Sequence, residues 1–284
     1  MKKYLILFCL MPISLFAQHF EAGLMVGASN YLGDLSGNSS TIYLSETKLA
    51  AGAFAKYNVN HLLALRAHFN YASVSGADNN SGNRAIIDRN LSFQSNVYEY
   101  GLVGEFNLLG YQPYNYESTF SPYLFGGIAL FQFNPQADLN GQLYDLQPLG
   151  TEGQNLAAIP ERTPYQTSGV AIPFGLGFKY TLTESLNLGF EIGARKLFTD
   201  YLDDVSLTYP GNAAFAAEGA SLEVIQLSNR NLSAVDVPEG TARGDDNAND
   251  WYFIAGFTIS YNFLDNGLIG GRKRSGKKTG CPTF

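Results

Sequence analysis

The stretch from Trp251 to Phe263 constrains the fold more than any other part of the chain. One face of it reads Trp251, Phe253, Ala255, Phe257, Ile259, Tyr261 and Phe263; the other reads Tyr252, Ile254, Gly256, Thr258, Ser260 and Asn262. A repeat of two puts alternate side chains on opposite sides of a β-strand. An apolar face with aromatic residues at both ends is the pattern of a strand crossing a membrane inside a closed barrel.

The pattern recurs upstream. Leu186, Leu188, Phe190, Ile192 and Ala194 oppose Asn187, Gly189, Glu191, Gly193 and Arg195. Val170, Ile172, Phe174, Leu176, Phe178 and Tyr180 oppose Ala171, Pro173, Gly175, Gly177 and Lys179, with a bulge or local distortion expected at Pro173. Residues 121–134 place Tyr123, Phe125, Ala129, Phe131 and Phe133 on one face. Tyr98, Tyr100, Leu102, Phe106 and Leu108 in 96–108 oppose Glu99, Gly101, Glu105 and Asn107. Leu63, Leu65, Ala67, Phe69 and Tyr71 in 62–73 oppose Arg66, His68 and Asn70. Weaker segments at 20–29 and 48–59 bring the number to eight, each near the ~9–11 residues a crossing strand requires. The expected fold is therefore all-β, an eight-stranded antiparallel transmembrane barrel spanning 18–264.

Connection lengths alternate. Short ones fall at 58–61 and 181–185 and a medium one at 110–119; long ones fall at 30–47, 75–93, 135–167 and 200–249. Short turns on one side and long loops on the other are the outer-membrane layout, with both chain ends periplasmic and the long loops extracellular. A soluble barrel would turn the apolar face inward. Here the opposite face carries Glu21, Lys56, Arg66, His68, Glu99, Glu105, Lys179, Glu191 and Arg195 among many glycines, which suits a narrow lumen filled by paired side chains.

Composition agrees. Charged residues make up 15% and aromatics 14%, with 30 Gly in 284 residues. That is too aromatic for disorder. The net charge of −7 argues against a nucleic-acid partner, and 2 Cys exclude a disulfide scaffold. Lys2 and Lys3, the apolar run from Tyr4 to Ile13 and the Ser14–Gln18 segment read as a secretory signal over 1–17, cleaved after Ala17. Cys9 lies within its apolar core. The tail 265–284 holds Arg272, Lys273, Arg274, Lys277 and Lys278 against Asp265, a basic end expected on the periplasmic side.

The sequence contains no catalytic constellation, and no cofactor is expected. His19, His61 and His68 lack metal-ligand spacing, and there is no nucleophile elbow, P-loop or Cys-x-x-Cys. Asp34, Asp200, Asp203 and Asp204 fall at the extracellular rim. Their oxygens would suit Ca²⁺, but the spacing of a calcium loop is absent. Capping of free backbone N–H groups where strands become loops is the stronger reading.

Several segments together resemble a known family. A signal ending Phe-Ala-Gln, Ser-Asn-Tyr-Leu-Gly-Asp-Leu at 29–35, Arg-Asn-Leu-Ser-Phe at 89–93, Thr-Asp-Tyr-Leu-Asp-Asp-Val-Ser at 199–206 and Lys-Lys-Thr-Gly-Cys-Pro-Thr-Phe at 277–284 are similar to the PorG family. That family comprises outer-membrane barrels of the type IX secretion system of Bacteroidetes. The resemblance runs over nearly the whole chain beyond the signal but does not explain the long 205–249 loop. It implies a non-enzymatic component that contacts a periplasmic ring of PorK-like lipoprotein and PorN-like subunits. The basic tail and Cys281 are then the expected partner-binding elements. Cys281 follows five basic residues, which favour its thiolate, and would form an intermolecular disulfide to a ring subunit. The competing expectation is a free-standing OmpA-like barrel acting through its loops as an adhesin or small pore.

Overall fold

A computed structural model describes residues 20–36, 43–111, 119–183, 185–233 and 236–263. The signal, with Cys9 and His19, and the basic tail, with Cys281, lie outside the described residues.

The strands are β1 (Phe20–Leu32), β2 (Lys48–Asn58), β3 (Leu63–Ala77), β4 (Ser92–Asn107), β5 (Phe120–Leu139), β6 (Gln142–Asp145), β7 (Ser168–Thr181), β8 (Leu186–Leu197) and β9 (Trp251–Asn262). All neighbours pair antiparallel, β1 pairs with β9, and β4 pairs with β5. Eight strands thus close into a barrel, and β6 is a short ninth that extends only the upper end of β5. The closing seam runs from Glu21↔Asn262 to Leu32↔Trp251. The chain enters and leaves the barrel at the same end, where the short turns also lie. Among the described residues no helix is long and apolar enough to cross a membrane.

Alternation decides which side chains face outward. Leu24, Val26, Leu102, Ile128, Leu130, Leu176, Ile192 and Phe257 are exposed on the wall, Phe257 at 72%. Aromatic pairs border this band. Phe20–Tyr57 at 5.6 Å and Phe120–Phe178 at 5.8 Å lie toward the turns. Tyr71–Tyr98 at 5.5 Å and Phe174–Trp251 at 6.1 Å lie toward the long loops. A continuous apolar belt with aromatic borders is unfavourable in water and matches the depth profile of a bilayer.

Strand β5 departs from the expected polarity. Its aromatic set, Tyr123, Phe125, Phe131 and Phe133, is buried inside the barrel, while Leu124, Ile128 and Leu130 face outward. Both faces of β5 are apolar, so alternation alone does not orient it. Pairing does: Glu105 lies opposite Phe125 and Glu99 opposite Phe131, and residues directly opposite share a face. The inward rings then carry cations, with Arg66 5.0 Å from the Phe125 centroid and Lys179 4.7 Å from that of Tyr123.

Pro173 produces no bulge. The β5–β7 ladder has no pairs between Gly126↔Phe174 and Ala129↔Ala171, yet the register is unshifted across the gap. The missing N–H is accommodated by interrupting the ladder on one side, while Pro173 still pairs with Arg195 on the other.

The long connections are folded. They contain α1 (Arg84–Arg89), α2 (Leu146–Leu149), α3 (Asn212–Ala217) and α4 (Leu222–Ser228). Leu35, Leu91, Leu146, Leu202, Val205 and Leu227 from these connections pack with Tyr31, Val74, Phe93, Phe131, Phe133 and Tyr252 of the strands in one buried cluster. Strands β3, β4 and β5 rise beyond the expected loop boundaries because this cap gives their upper inward residues apolar partners. A second small cluster, Leu156, Phe215 and Val224, ties α3 and α4 to the 150s segment.

Candidate functional site

Two polar layers occupy the barrel axis. In the lower one, Glu105 on β4 is the hub. Its Oε2 lies 2.9 Å from Lys179 Nζ and 3.1 Å from Lys56 Nζ, and its Oε1 3.3 Å from Arg66 Nε. Arg66 Nη1 donates to Glu191 Oε2 at 2.6 Å, and Tyr123 Oη donates to the same oxygen at 2.9 Å. Glu21 accepts from Ser260 at 2.6 Å and pairs with Lys56 at 3.4 Å.

The upper layer centres on Glu99. Arg195 Nε lies 3.2 Å from its Oε2, to which Tyr252 Oη donates at 2.5 Å. Asn70 Nδ2 donates to Oε1 at 2.7 Å, and His68 Nε2 lies 2.9 Å from the same oxygen. The four cations Lys56, Arg66, Lys179 and Arg195 thus face the four acids Glu21, Glu99, Glu105 and Glu191, all buried. Pairing on this scale relieves the large cost of burying isolated charges.

The geometry of these pairs decides what the lumen can do. Around the closed ring β3 and β8 are four strands apart in either direction, yet Arg66 and Glu191 join them at 2.6 Å. Lys179–Glu105 and Arg195–Glu99 also cross between strands that are not neighbours. Side chains that meet across the diameter leave no channel at that level, as expected of an eight-stranded barrel.

The rim acids are gathered beneath the cap. Asp203 and Asp204 are fully buried, and Asp200 nearly so. Asp203 accepts from Tyr31 Oη at 2.5 Å and from the Val205 N–H at 2.9 Å. Tyr31 Oη also lies 3.1 Å from Asp250 Oδ1. A phenol has one proton to donate, and two buried carboxyls stand within its reach. Asp204 accepts from Tyr165 at 2.6 Å and from Thr151, with Arg243 Nη2 at 3.7 Å. Asp34 accepts from the Asp245 N–H at 2.9 Å. Asp34 and Asp203 thus cap backbone N–H groups, while Asp203 and Asp204 also tie the connections to the strands and to each other through side chains. Among the described residues no group of three or more His, Cys, Asp or Glu is arranged to hold a metal ion.

Glu152, Arg243, Asp78 and Asp250 belong to this network although no motif marks them. Glu152 accepts from the Ser206 and Leu207 N–H groups and pairs with Arg243 at 3.1 Å. Arg89, in one of the segments that carry the family resemblance, forks onto Asp78 at 2.7 and 2.8 Å and donates to the carbonyls of Asp34 and Arg243. Only Asp250 has a sequence signal, as the acid immediately preceding the first aromatic residue of β9.

Burial, more than any neighbour, raises these carboxyls. Asp34 and Asp204 rise to about 6 and Asp200 to about 9; Asp203 and Asp250 are held well above the ordinary range. The folded cap therefore binds protons that an opened cap would release. Its stability is fullest below about pH 4 for these groups and declines as pH rises through 6 toward 9. Trp251, the one tryptophan, sits beside Asp250 and reports on this region. The urea midpoint of its fluorescence change is expected to be higher at pH 5 than at pH 9. A midpoint that rises with pH would contradict the assignment.

None of the curated proteins matches the chain in sequence. Among solved structures, Neisserial surface protein A is similar with 10% identity and a TM-score of 0.42, covering 86% of this chain and 97% of that one. OprG of Pseudomonas aeruginosa has 10% identity and a TM-score of 0.38, covering 86% and 97%. Ail, the attachment invasion locus protein of Yersinia pestis, has 8% identity and a TM-score of 0.36, covering 86% and 98%. A family model described as a domain of unknown function, DUF6089, matches residues 1–218, and the chain belongs to that family.

Proposed function

We propose that the protein is a non-enzymatic outer-membrane β-barrel that works as a fixed structural anchor and not as a conduit. The Arg66–Glu191 contact across the lumen carries this reading: a barrel bridged through its axis acts by its surfaces. The apolar belt supports placement in a bilayer, and the alternation of short turns and long connections supports a periplasmic position for the chain ends.

The finer reading rests on the sequence segments similar to the PorG family. On it, the chain is an outer-membrane component of a type IX secretion machine that positions a periplasmic ring of PorK-like and PorN-like subunits. The contacts are Arg272, Lys273, Arg274, Lys277 and Lys278, with Cys281 forming a disulfide to the lipoprotein subunit. Affinity purification of the tagged protein from detergent-solubilised outer membranes, followed by mass spectrometry, tests the partners. Recovery of ring subunits is expected; recovery of the barrel alone would refute the assembly role. On a non-reducing gel, a higher-mass band should collapse with reductant and vanish in Cys281→Ser. A barrel that runs only as a monomer, with its thiol freely alkylated, would remove the disulfide.

A second reading has its own observation. The long connections form a packed cap, so they present a defined surface. A free-standing barrel acting through that surface would retain its activity when the tail is deleted.

A further inference from the structure

On the outer wall, a cleft of about 460 Å³ opens above the apolar belt, lined by Asn96, Tyr98, Gln132, Asn134, Thr167 and Ser168. Its origin is a fork in the sheet. The β5–β7 pairing ends at Gln132↔Ser168, and β6 begins to pair with β5 only at Gln136↔Asp145. Between these points the edge of β5 is left open on that side, apart from the Phe133 N–H bond to the Thr167 carbonyl at 2.9 Å. The volume is in the range of small-molecule sites.

The lining is uncharged and rich in amides. Asn96 and Asn134 face each other across the β4–β5 pair, as do Tyr98 and Gln132. Asn96 Oδ1 accepts from Tyr71 Oη at 2.8 Å, which points its NH₂ group as a donor. Asn134 Nδ2 donates to Asp145 at 2.8 Å, which leaves its Oδ1 as an acceptor. A donor and an acceptor side by side match adjacent hydroxyl groups, each of which both gives and takes a hydrogen bond. The Tyr98 ring, 42% exposed, offers an apolar face for the C–H side of a sugar. Asp145, held by Asn134, sets a negative charge beside the lining, which repels phosphate and carboxylate.

We propose that this cleft binds a neutral glycan at the outer edge of the membrane belt. Its depth rests on the membrane reading; the recognition chemistry does not. The row directly below it, Phe69, Tyr100, Leu130 and Val170, belongs to the belt, so a lipid-borne sugar would reach the cleft with its chains in the bilayer. A free surface polysaccharide offers the same hydroxyl chemistry.

Native mass spectrometry of the full chain tests this. Nanodiscs of digalactosyldiacylglycerol and of phosphatidylglycerol supply the lipid arms; galactobiose added to detergent-solubilised protein supplies the free-sugar arm. The wild type should retain the digalactosyl lipid over phosphatidylglycerol. Gln132→Ala with Asn134→Ala should lower that retention about tenfold, the effect of losing two or more neutral hydrogen bonds. Gln94→Ala, which faces outward beyond the cleft, should not. Heat-dependent gel mobility establishes that each variant is folded. Galactobiose bound as well as the lipid would assign the site to a free glycan; lipid retained alone would assign it to a glycolipid. Equal retention of both lipids, or a double variant equal to wild type in every arm, would overturn the proposal. Failure to enter nanodiscs would count against the membrane reading, and the detergent arm would still decide the site.

Discussion

Glu105→Gln is expected to cost about 3–5 kcal/mol of barrel stability, the magnitude seen when one member of a buried ion network is removed. The change keeps the side chain's shape and takes away one charge. Lys56, Arg66 and Lys179 all lie within 3.3 Å of that carboxylate, so their charges lose their shared partner in a site buried from solvent. Denaturant midpoints of the refolded barrel in detergent measure the loss. Adding Lys179→Met should recover part of it by restoring the balance of charge. A single variant within about 0.5 kcal/mol of wild type would show that the lumen is wet enough to screen these ions.

Phe257→Arg is expected to cost about 2–4 kcal/mol in a bilayer, the cost of a charge on the lipid face near the midplane. The side chain is 72% exposed and sits mid-strand. On a water-facing wall the same substitution would be neutral within about 0.5 kcal/mol, so the measurement separates the two environments. Thr258→Arg, one residue on, points to the lumen and adds a cation to a balanced set. Its cost should depend on the lumen acids and not on the lipid. Folding both variants into thin and thick bilayers distinguishes them: only Phe257→Arg should respond to thickness.

The strands were legible to different degrees for a physical reason. In β8 one face is apolar and the other polar, so period and orientation are both written in the residues. In β5 both faces are apolar, and its orientation is a property of the pairing with β4, which no single segment encodes. The lumen charges were legible because each falls at an alternate position opposite the outward apolar residues of its strand. The cap was not: Leu35, Leu202, Val205 and Leu227 come from segments without periodicity, and they become a core only once the barrel brings them together. Glu152 and Arg243 are 91 residues apart in sequence and share nothing local.

The β1–β9 seam joins the two ends of the described chain, and Tyr31 and Asp250 stand at its upper end. Every other pairing in the barrel wall joins strands consecutive around it in chain order, whereas this one joins the first strand to the last. Such a ladder has the largest sequence separation the molecule offers, and its loop-closure cost falls on a single step. Asp250 precedes β9 directly, so the strand that shuts the wall also delivers the acid that joins Tyr31 and Asp203. The last strand thereby serves wall and cap together: a chain lacking it would lose the seam and, with it, the clasp that seats the outer connections.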